Sequence, residues 1–378
     1  MYTLSRLLLI IGLAACAYCL AILAVLTWPV SAIVIGIFLL AHAAKKRRGQ
    51  LTTLGSARWA DEYDLRSAGM WDADAGLILG RLPSSLAANR SGAGALMTWG
   101  MSAKEACQRF WSGSKYGRDQ LVRLSNAVHV AVFGPSGAGK GVSLIIPFLF
   151  VVFTSIVAID FKGEIARLTA RYRQKYFKHR VVLLDPHKVV TQTPDCFNAL
   201  DFIDKNSRTA IDECHELAKA LVSRSPDEKE PHWNDCAELL IAAVLATIVW
   251  YGGPETRSLQ TLREILSDPQ RLDTAIKLMC ESDCWNGMLA RMGRQLTYFA
   301  DKEKNSVLTT VGRHLRFLDS LAVAESTSRS SFNPAELRKG RMSVYLILPP
   351  DHMRTQSALL RVWISSMMRA VVKGGLAA

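Results

Sequence analysis

The run Val128-His129-Val130-Ala131-Val132-Phe133 leads straight into Gly134-Pro135-Ser136-Gly137-Ala138-Gly139-Lys140, and an apolar helical pattern begins at Lys140. No other feature constrains the fold so strongly. A buried strand, a glycine-rich turn and a helix N-terminus in that order make the phosphate loop G-x-x-x-x-G-K. The spacing alone is a weak signal and its context gives it force. Glycines at 134, 137 and 139 allow backbone N–H groups to turn inward around a polyphosphate. The helix N-terminus adds partial positive charge, and Lys140 reaches the terminal phosphates. The expected nucleotide contacts are Gly134, Pro135, Ser136, Gly137, Ala138, Gly139, Lys140, Gly141 and Val142. The bland alternative is a strand-to-helix turn that holds nothing.

One position departs from the motif. Gly141 stands where Ser or Thr ordinarily holds Mg²⁺. Ser143 lies two residues further on, roughly 200° around a helix of 3.6 residues per turn, which makes it a poor substitute. ATP is the expected ligand, with Mg²⁺ held by water and a carboxylate from elsewhere. No catalytic residue and no dedicated metal-ligand set is assigned.

Downstream, apolar strands and helices alternate. Ser155 to Asp160 reads as a second strand, followed by a basic helix from about Gly163 to Lys178, and Val181 to Pro186 as a third strand. Short β-branched strands between helices argue for a parallel sheet covered on both faces. From about Ser207 to Ser330 nearly everything reads helical. Ala237 to Tyr251 is strongly apolar but too short to span a bilayer, so a core helix is expected. Leu308, Val311, Leu315 and Leu318 repeat at helical spacing as a core stripe. Strand character returns at Met342 to Leu348, before a helix with Leu360, Ile364, Met367 and Val371 on one face. The pattern is an α/β unit interrupted by an all-α unit.

Near the N-terminus, Leu7 to Ala44 contains no Asp, Glu, Lys or Arg. As one helix it would measure roughly 57 Å, nearly twice a ~30 Å hydrocarbon core. A transmembrane helical hairpin turning near Thr27-Trp28-Pro29-Val30-Ser31 is the simpler solution, with a single tilted span as the alternative. Arg6 before the run and Lys45-Lys46-Arg47-Arg48 after it place both ends in the cytoplasm. Leu13-Ala14-Ala15-Cys16 resembles a lipoprotein cleavage box, but a long apolar run beyond Cys16 speaks against a processed signal.

Lys and Arg number 46 against 33 Asp and Glu, a net charge of +13, which favours nucleic acid or an acidic membrane face as partner. The densest basic patch is Arg167, Arg171, Arg173, Lys175 and Lys178 with His179 and Arg180. It reads first as a solvated face and second as a contact for DNA or a neighbouring subunit's phosphates. The eight scattered cysteines show no paired zinc spacing and suit a reducing cytoplasm. Cys16 and Cys19 form a C-x-x-C inside the apolar run. His232 lacks partner ligands at useful spacing and reads as a helix-start residue. Asp160 and Lys162 read equally as functional or as a strand-end pair.

The stretch Gly134 to Pro147 resembles the TraG-type (TraG/TraD-like) coupling proteins of conjugative type IV secretion, whose loop also carries Gly after the lysine. Gly55-Ser-Ala-Arg-Trp-Ala60, Ile159-Asp-Phe-Lys-Gly-Glu164 and His232-Trp233 agree with other segments of that family, in order along the chain. The resemblance implies a P-loop RecA-like domain carrying an inserted all-α domain. It divides the chain into an anchor (1–48), a membrane-proximal segment (49–125), the first part of the nucleotide-binding domain (126–206), the all-α domain (207–330) and an incomplete second part (331–378). It implies an ATPase or DNA translocase of the bacterial inner membrane, with single-stranded DNA, a relaxase or other secreted substrate and secretion-channel components as partners. The full-length protein is expected to form a homo-hexamer. Family members carry a strand ending Asp-Glu beyond the helix at about 355–372, and this chain stops at Ala378, so it is expected to bind ATP but to turn it over poorly. Asp160 and Asp185 end apolar strands without a following Glu, and Glu164 is a weak candidate base. Two alternatives stand beside the coupling protein. One is a non-hydrolysing ATP-binding membrane scaffold, the other a nucleoside monophosphate kinase.

Overall fold

A computed structural model describes residues 2–26, 35–37, 62–70, 76–82, 120–124, 129–225, 227 and 230–373. The chain divides into two compact units, residues 1–148 and 149–378.

In the first unit, helix α1 (Tyr2–Leu26) is continuous over 25 residues, and residues 35–37 are also helical. Its described side chains, from Ile10 to Ile22, are all exposed. The expected hairpin turn and most of the second arm lie outside the described residues, as does the segment 55–60. A short helix α2 (Glu62–Ser67) precedes β1 (Leu77–Leu82), which pairs antiparallel with β2 (Gln120–Leu124). A five-residue π-helical turn, Gly141–Ile145, leads into α3 (Ile146–Val151), whose last three residues belong to the second unit.

Of the strand expected at Val128–Phe133, the described residues 129–133 form no part. Residues 129–133 belong to no ladder, and Val130, Val132 and Phe133 are 45%, 49% and 94% exposed. β-Branched composition favours a pleated surface only where a neighbouring strand supplies the other half of the ladder. Among the described residues no strand pairs with this one.

In the second unit, β3 (Ile156–Ile159), β4 (Arg180–Leu184) and β5 (Met342–Leu346) form a parallel sheet in the order β3-β5-β4. The last strand in sequence is the central one, and every residue of β5 is buried. Its period-2 alternation serves two cores. Tyr345 and Ile347 face Ala166 on α4 (Glu164–Tyr176), with Ala158, Val181 and Leu183 around them. Val344, Leu346 and Leu348 face a larger apolar body that also takes in Val182 and Leu184.

That body consists of α5 (Ala210–Leu221), α6 (Pro231–Tyr251), α7 (Leu259–Ser267), α8 (Pro269–Cys280), α9 (Cys284–Leu296), α10 (Asp301–Leu315) and α11 (Leu321–Thr327), all lying between β4 and β5 in sequence. Helix α12 (Met353–Val372) follows β5. Although α6 is long and apolar enough by composition to cross a membrane, 67% of that stretch is buried within the protein, as a core helix requires. Val311, Leu315 and Leu318 are buried, with Leu308 packed against the same body.

The basic helix corrects one expectation. Arg173 lies wholly inside the protein, where its guanidinium donates to Ser343 Oγ (2.7 Å) and to the carbonyls of Leu149 (2.6 Å), Val152 (2.6 Å) and Thr154 (2.7 Å). Four acceptors compensate the desolvated charge. His179 is buried beside it, with Nδ1 2.9 Å from Ser343 Oγ and Nε2 2.8 Å from the Phe153 carbonyl. Because Ser343 Oγ accepts from Arg173, its hydroxyl proton is directed to His179 Nδ1, which leaves Nε2 to carry the ring proton and donate to Phe153. Burial lowers the His179 pKa, and the Arg173 and Arg341 charges add to the effect.

Candidate nucleotide-binding site

The phosphate-loop residues close into a tight turn whose shape depends on two glycines. Gly137 (φ +81°) and Gly139 (φ +76°) occupy the left-handed region, which side chains of L-residues rarely enter. The Ala138 N–H donates to the Pro135 carbonyl at 3.2 Å and pins the turn. Lys140 folds back over it, with Nζ donating to the carbonyls of Gly134 (2.6 Å) and Pro135 (2.9 Å). Its ammonium is thereby held against the loop backbone. Around Gly137 and Gly141 an added Cβ would meet nothing within 4 Å.

The structure bears on the missing hydroxyl. Ser143 Oγ donates to the Gly139 carbonyl at 2.7 Å, one helical turn back, and is committed to the helix. Gly141 opens the π-helical turn, and Val142 is 73% exposed. What the loop would offer a polyphosphate is its backbone N–H groups, the helix N-terminus and Lys140. Within it, no side-chain oxygen is placed for Mg²⁺ as Ser or Thr at position 141 would be.

The acidic residues at the strand ends are also committed. Asp160, after β3, is 3% exposed and its Oδ2 accepts the Ala166 N–H at 2.8 Å, which caps the first turn of α4. Asp185, after β4, is fully buried and accepts the N–H groups of Val189 (2.9 Å), Val190 (2.6 Å) and Thr191 (3.1 Å). Both carboxylates hold local backbone. Lys162 is exposed, and Glu164 is exposed at the start of α4.

Beyond the carboxyl ends of β4 and β5, where open parallel sheets bind ligands, the structure assembles a group not evident from sequence. The rings of His187 and His352 stack at 3.8 Å with an interplanar angle of 2°. His187 Nε2 lies 2.9 Å from Oε1 of Gln356, a residue only 5% exposed at an irregular first turn of α12. These residues are 169 positions apart. The sequence signal was confined to their positions just after strands. Of the basic patch, Arg171, Lys175 and Lys178 are exposed, whereas Arg173 and His179 are interior. Exposed Arg180 pairs with Glu336 at 3.7 Å. His232 lies in the first turn of α6, 3.3 Å from Glu303 of α10.

The profile of the family described as type IV secretory system conjugative DNA transfer matches residues 59–374. This chain belongs to that family. Among curated relatives, a conjugal transfer protein TraG of Escherichia coli is 26% identical over 328 residues, which cover 83% of this chain and 48% of TraG. A type IV secretion system-coupling protein VirD4 of Bartonella henselae is 26% identical over 253 residues, covering 65% of this chain and 39% of VirD4. The chain thus spans about half the length, or less, of these relatives. Among solved structures, the plasmid coupling protein TrwB in complex with a non-hydrolysable GTP analogue matches with TM-score 0.46 and 15% identity, over 63% of this chain and 51% of TrwB. TrwB in complex with ADP and Mg²⁺ matches with TM-score 0.45 and 15% identity, over the same shares of the two chains.

Proposed function

We propose that this chain is the ATP-binding part of an inner-membrane coupling protein that delivers relaxase-bound single-stranded DNA, or a protein substrate, to a type IV secretion channel during conjugation. The observation that carries the reading is the glycine-dependent turn at Gly134–Lys140, with Lys140 Nζ folded back onto the Gly134 and Pro135 carbonyls, in a chain of the conjugative DNA transfer family. Nucleotide is held by Gly134 through Val142, and Mg²⁺ enters with it through water. The division into anchor, membrane-proximal segment, RecA-like domain and inserted all-α domain, and assembly into hexamers, belong to the same proposal. Helix α1 supports the anchor. Its 25 residues extend about 37 Å, enough for the hydrocarbon core, and its apolar side chains from Ile10 to Ile22 face outward. An active periplasmic reporter fused after residue 60 would contradict a two-span anchor.

A second reading is favoured by the site itself. Gly141 supplies no hydroxyl where Ser or Thr would hold Mg²⁺, and Ser143 Oγ is committed to the Gly139 carbonyl. Such a chain binds ATP as a scaffold without rapid turnover. Replacing Lys140 by Ala in the protein's own gene separates the readings when DNA transfer from donor cells and DNA-stimulated ATP hydrolysis are both measured. The motor reading expects both to fall together. The scaffold reading expects no stimulated hydrolysis in either protein, and transfer that depends on nucleotide binding alone. Transfer unaffected by the substitution would contradict both.

A further inference from the structure

Away from the phosphate loop, the N-terminal ends of two helices bring three metal-ligating side chains together. His232 and Cys236 lie four residues apart on α6, hence on one face, and Glu303 projects from the start of α10. The three donor atoms all lie within 4.8 Å of one another. His232 Nε2 is 3.3 Å from Glu303 Oε1 and 3.7 Å from Cys236 Sγ. Tetrahedral zinc, with bonds of about 2.0–2.3 Å to nitrogen, oxygen and sulfur, sets its ligands about 3.3–3.8 Å apart. We propose that His232, Cys236 and Glu303 form a binding site for a divalent transition-metal ion of the Zn²⁺ class, which staples the start of α6 to the start of α10.

The surroundings suit this ion. A thiolate and a carboxylate balance a dication, so the loaded site is neutral overall. Cys236 is 9% exposed and the His232 side chain 61%, so the ion enters from the histidine side and keeps a solvent ligand in the fourth position. The indole of Trp233 packs edge-on against the His232 ring at 5.2 Å, while its Nε1 donates to Glu230. Of the two lysines flanking Glu303, Lys304 is paired with Asp273 at 2.7 Å and Lys302 is exposed to solvent. Imidazole, thiolate and carboxylate together favour zinc over the hard cations Mg²⁺ and Ca²⁺. Burial, together with the Glu303 and Asp235 carboxylates, raises the Cys236 pKa. The metal-free thiol is therefore protonated, and ion binding releases that proton to solvent.

The test is a Co²⁺ titration of the full chain under reducing conditions, followed by the thiolate-to-cobalt absorption and by Zn²⁺ displacement. The wild-type protein and a Cys16→Ser/Cys19→Ser double variant are expected to bind one ion with that absorption. Cys236→Ser should lose it. Exposed His232 is replaceable without disturbing the core, so His232→Gln should keep the wild-type circular dichroism while affinity falls at least about tenfold. The proposal is overturned if the wild-type protein shows no thiolate-to-cobalt absorption. It is also overturned if His232→Gln binds as tightly as wild type, or if the absorption disappears in the Cys16/Cys19 variant.

Discussion

The Nε of Arg173, on α4, donates to the hydroxyl of Ser343, on the central strand β5, at 2.7 Å inside the protein. The two residues are 170 positions apart, and the whole helical body is threaded between them. The same guanidinium satisfies three carbonyls between Leu149 and Thr154. One buried charge thereby ties the end of α3 and the segment after it, the helix after β3 and the returning strand. Replacing Arg173 by Met strands these acceptors and is expected to cost about 3 kcal/mol or more, and Ser343→Ala about 1–2 kcal/mol. Urea denaturation of both variants measures the order. A fully stable Arg173→Met protein would contradict the tie.

Much of this arrangement was legible in the sequence. The strands at 156–159, 180–184 and 342–346 are short apolar runs between helical patterns, and the α10 stripe follows from its period. The failures have physical causes. Charge density on α4 suggested a solvated face, yet Arg173 is interior, because acceptors supplied by distant carbonyls leave no trace in a helical period. Residues 129–133 carry strand composition without a partner among the described residues. His232 reads from sequence as lacking a partner at useful spacing, which passes over Cys236, one helical turn on, and Glu303 comes from 71 residues away through helix packing alone.

Two buried histidines make stability depend on pH. Burial, helped by Arg313, Arg361 and Arg224, lowers the His314 pKa from 6.5 to about 4. Its Nδ1 accepts from the Ser223 N–H and its Nε2 lies 2.7 Å from Asn234 Oδ1, an arrangement that holds the neutral ring. His179 is shifted in the same direction. Between the two His314 values the unfolded chain binds more protons than the folded one, so stability falls as pH falls. The His314 contribution is complete above the unfolded value and is lost progressively between pH 6.5 and about 4. Denaturation midpoints should drop across this window, with a smaller drop in His314→Gln.

Gly163 and Gly340 both have left-handed φ, +72° and +74°, but differ in their surroundings. A Cβ on Gly163 would collide with Val190 Cγ2, whereas one on Gly340 would meet nothing within 4 Å. Gly340→Ala is expected to cost about 1–2 kcal/mol for its backbone alone. Gly163→Ala adds overpacking, for about 2–4 kcal/mol in total. Thermal melts of the two variants should preserve that order.

Gly141 tests the metal deficit of the loop. An added Cβ there meets nothing within 4 Å, so Gly141→Ser should fold normally. It supplies a hydroxyl where phosphate loops hold Mg²⁺. Nucleotide affinity is expected to become more strongly Mg²⁺-dependent in the variant. Equal dependence in both proteins would show that the hydroxyl does not reach the ion.

The central claim is that the turn at Gly134–Lys140 binds nucleotide, and the most direct measurement is equilibrium binding of a fluorescent ATP analogue to the full chain and to Lys140→Ala. The account predicts saturable binding to the wild-type protein that ATP competes away. It also predicts at least about a tenfold loss in the variant, the removed ammonium being worth 1.4 kcal/mol or more. Equal binding by both proteins, or none by the wild-type chain, would contradict it.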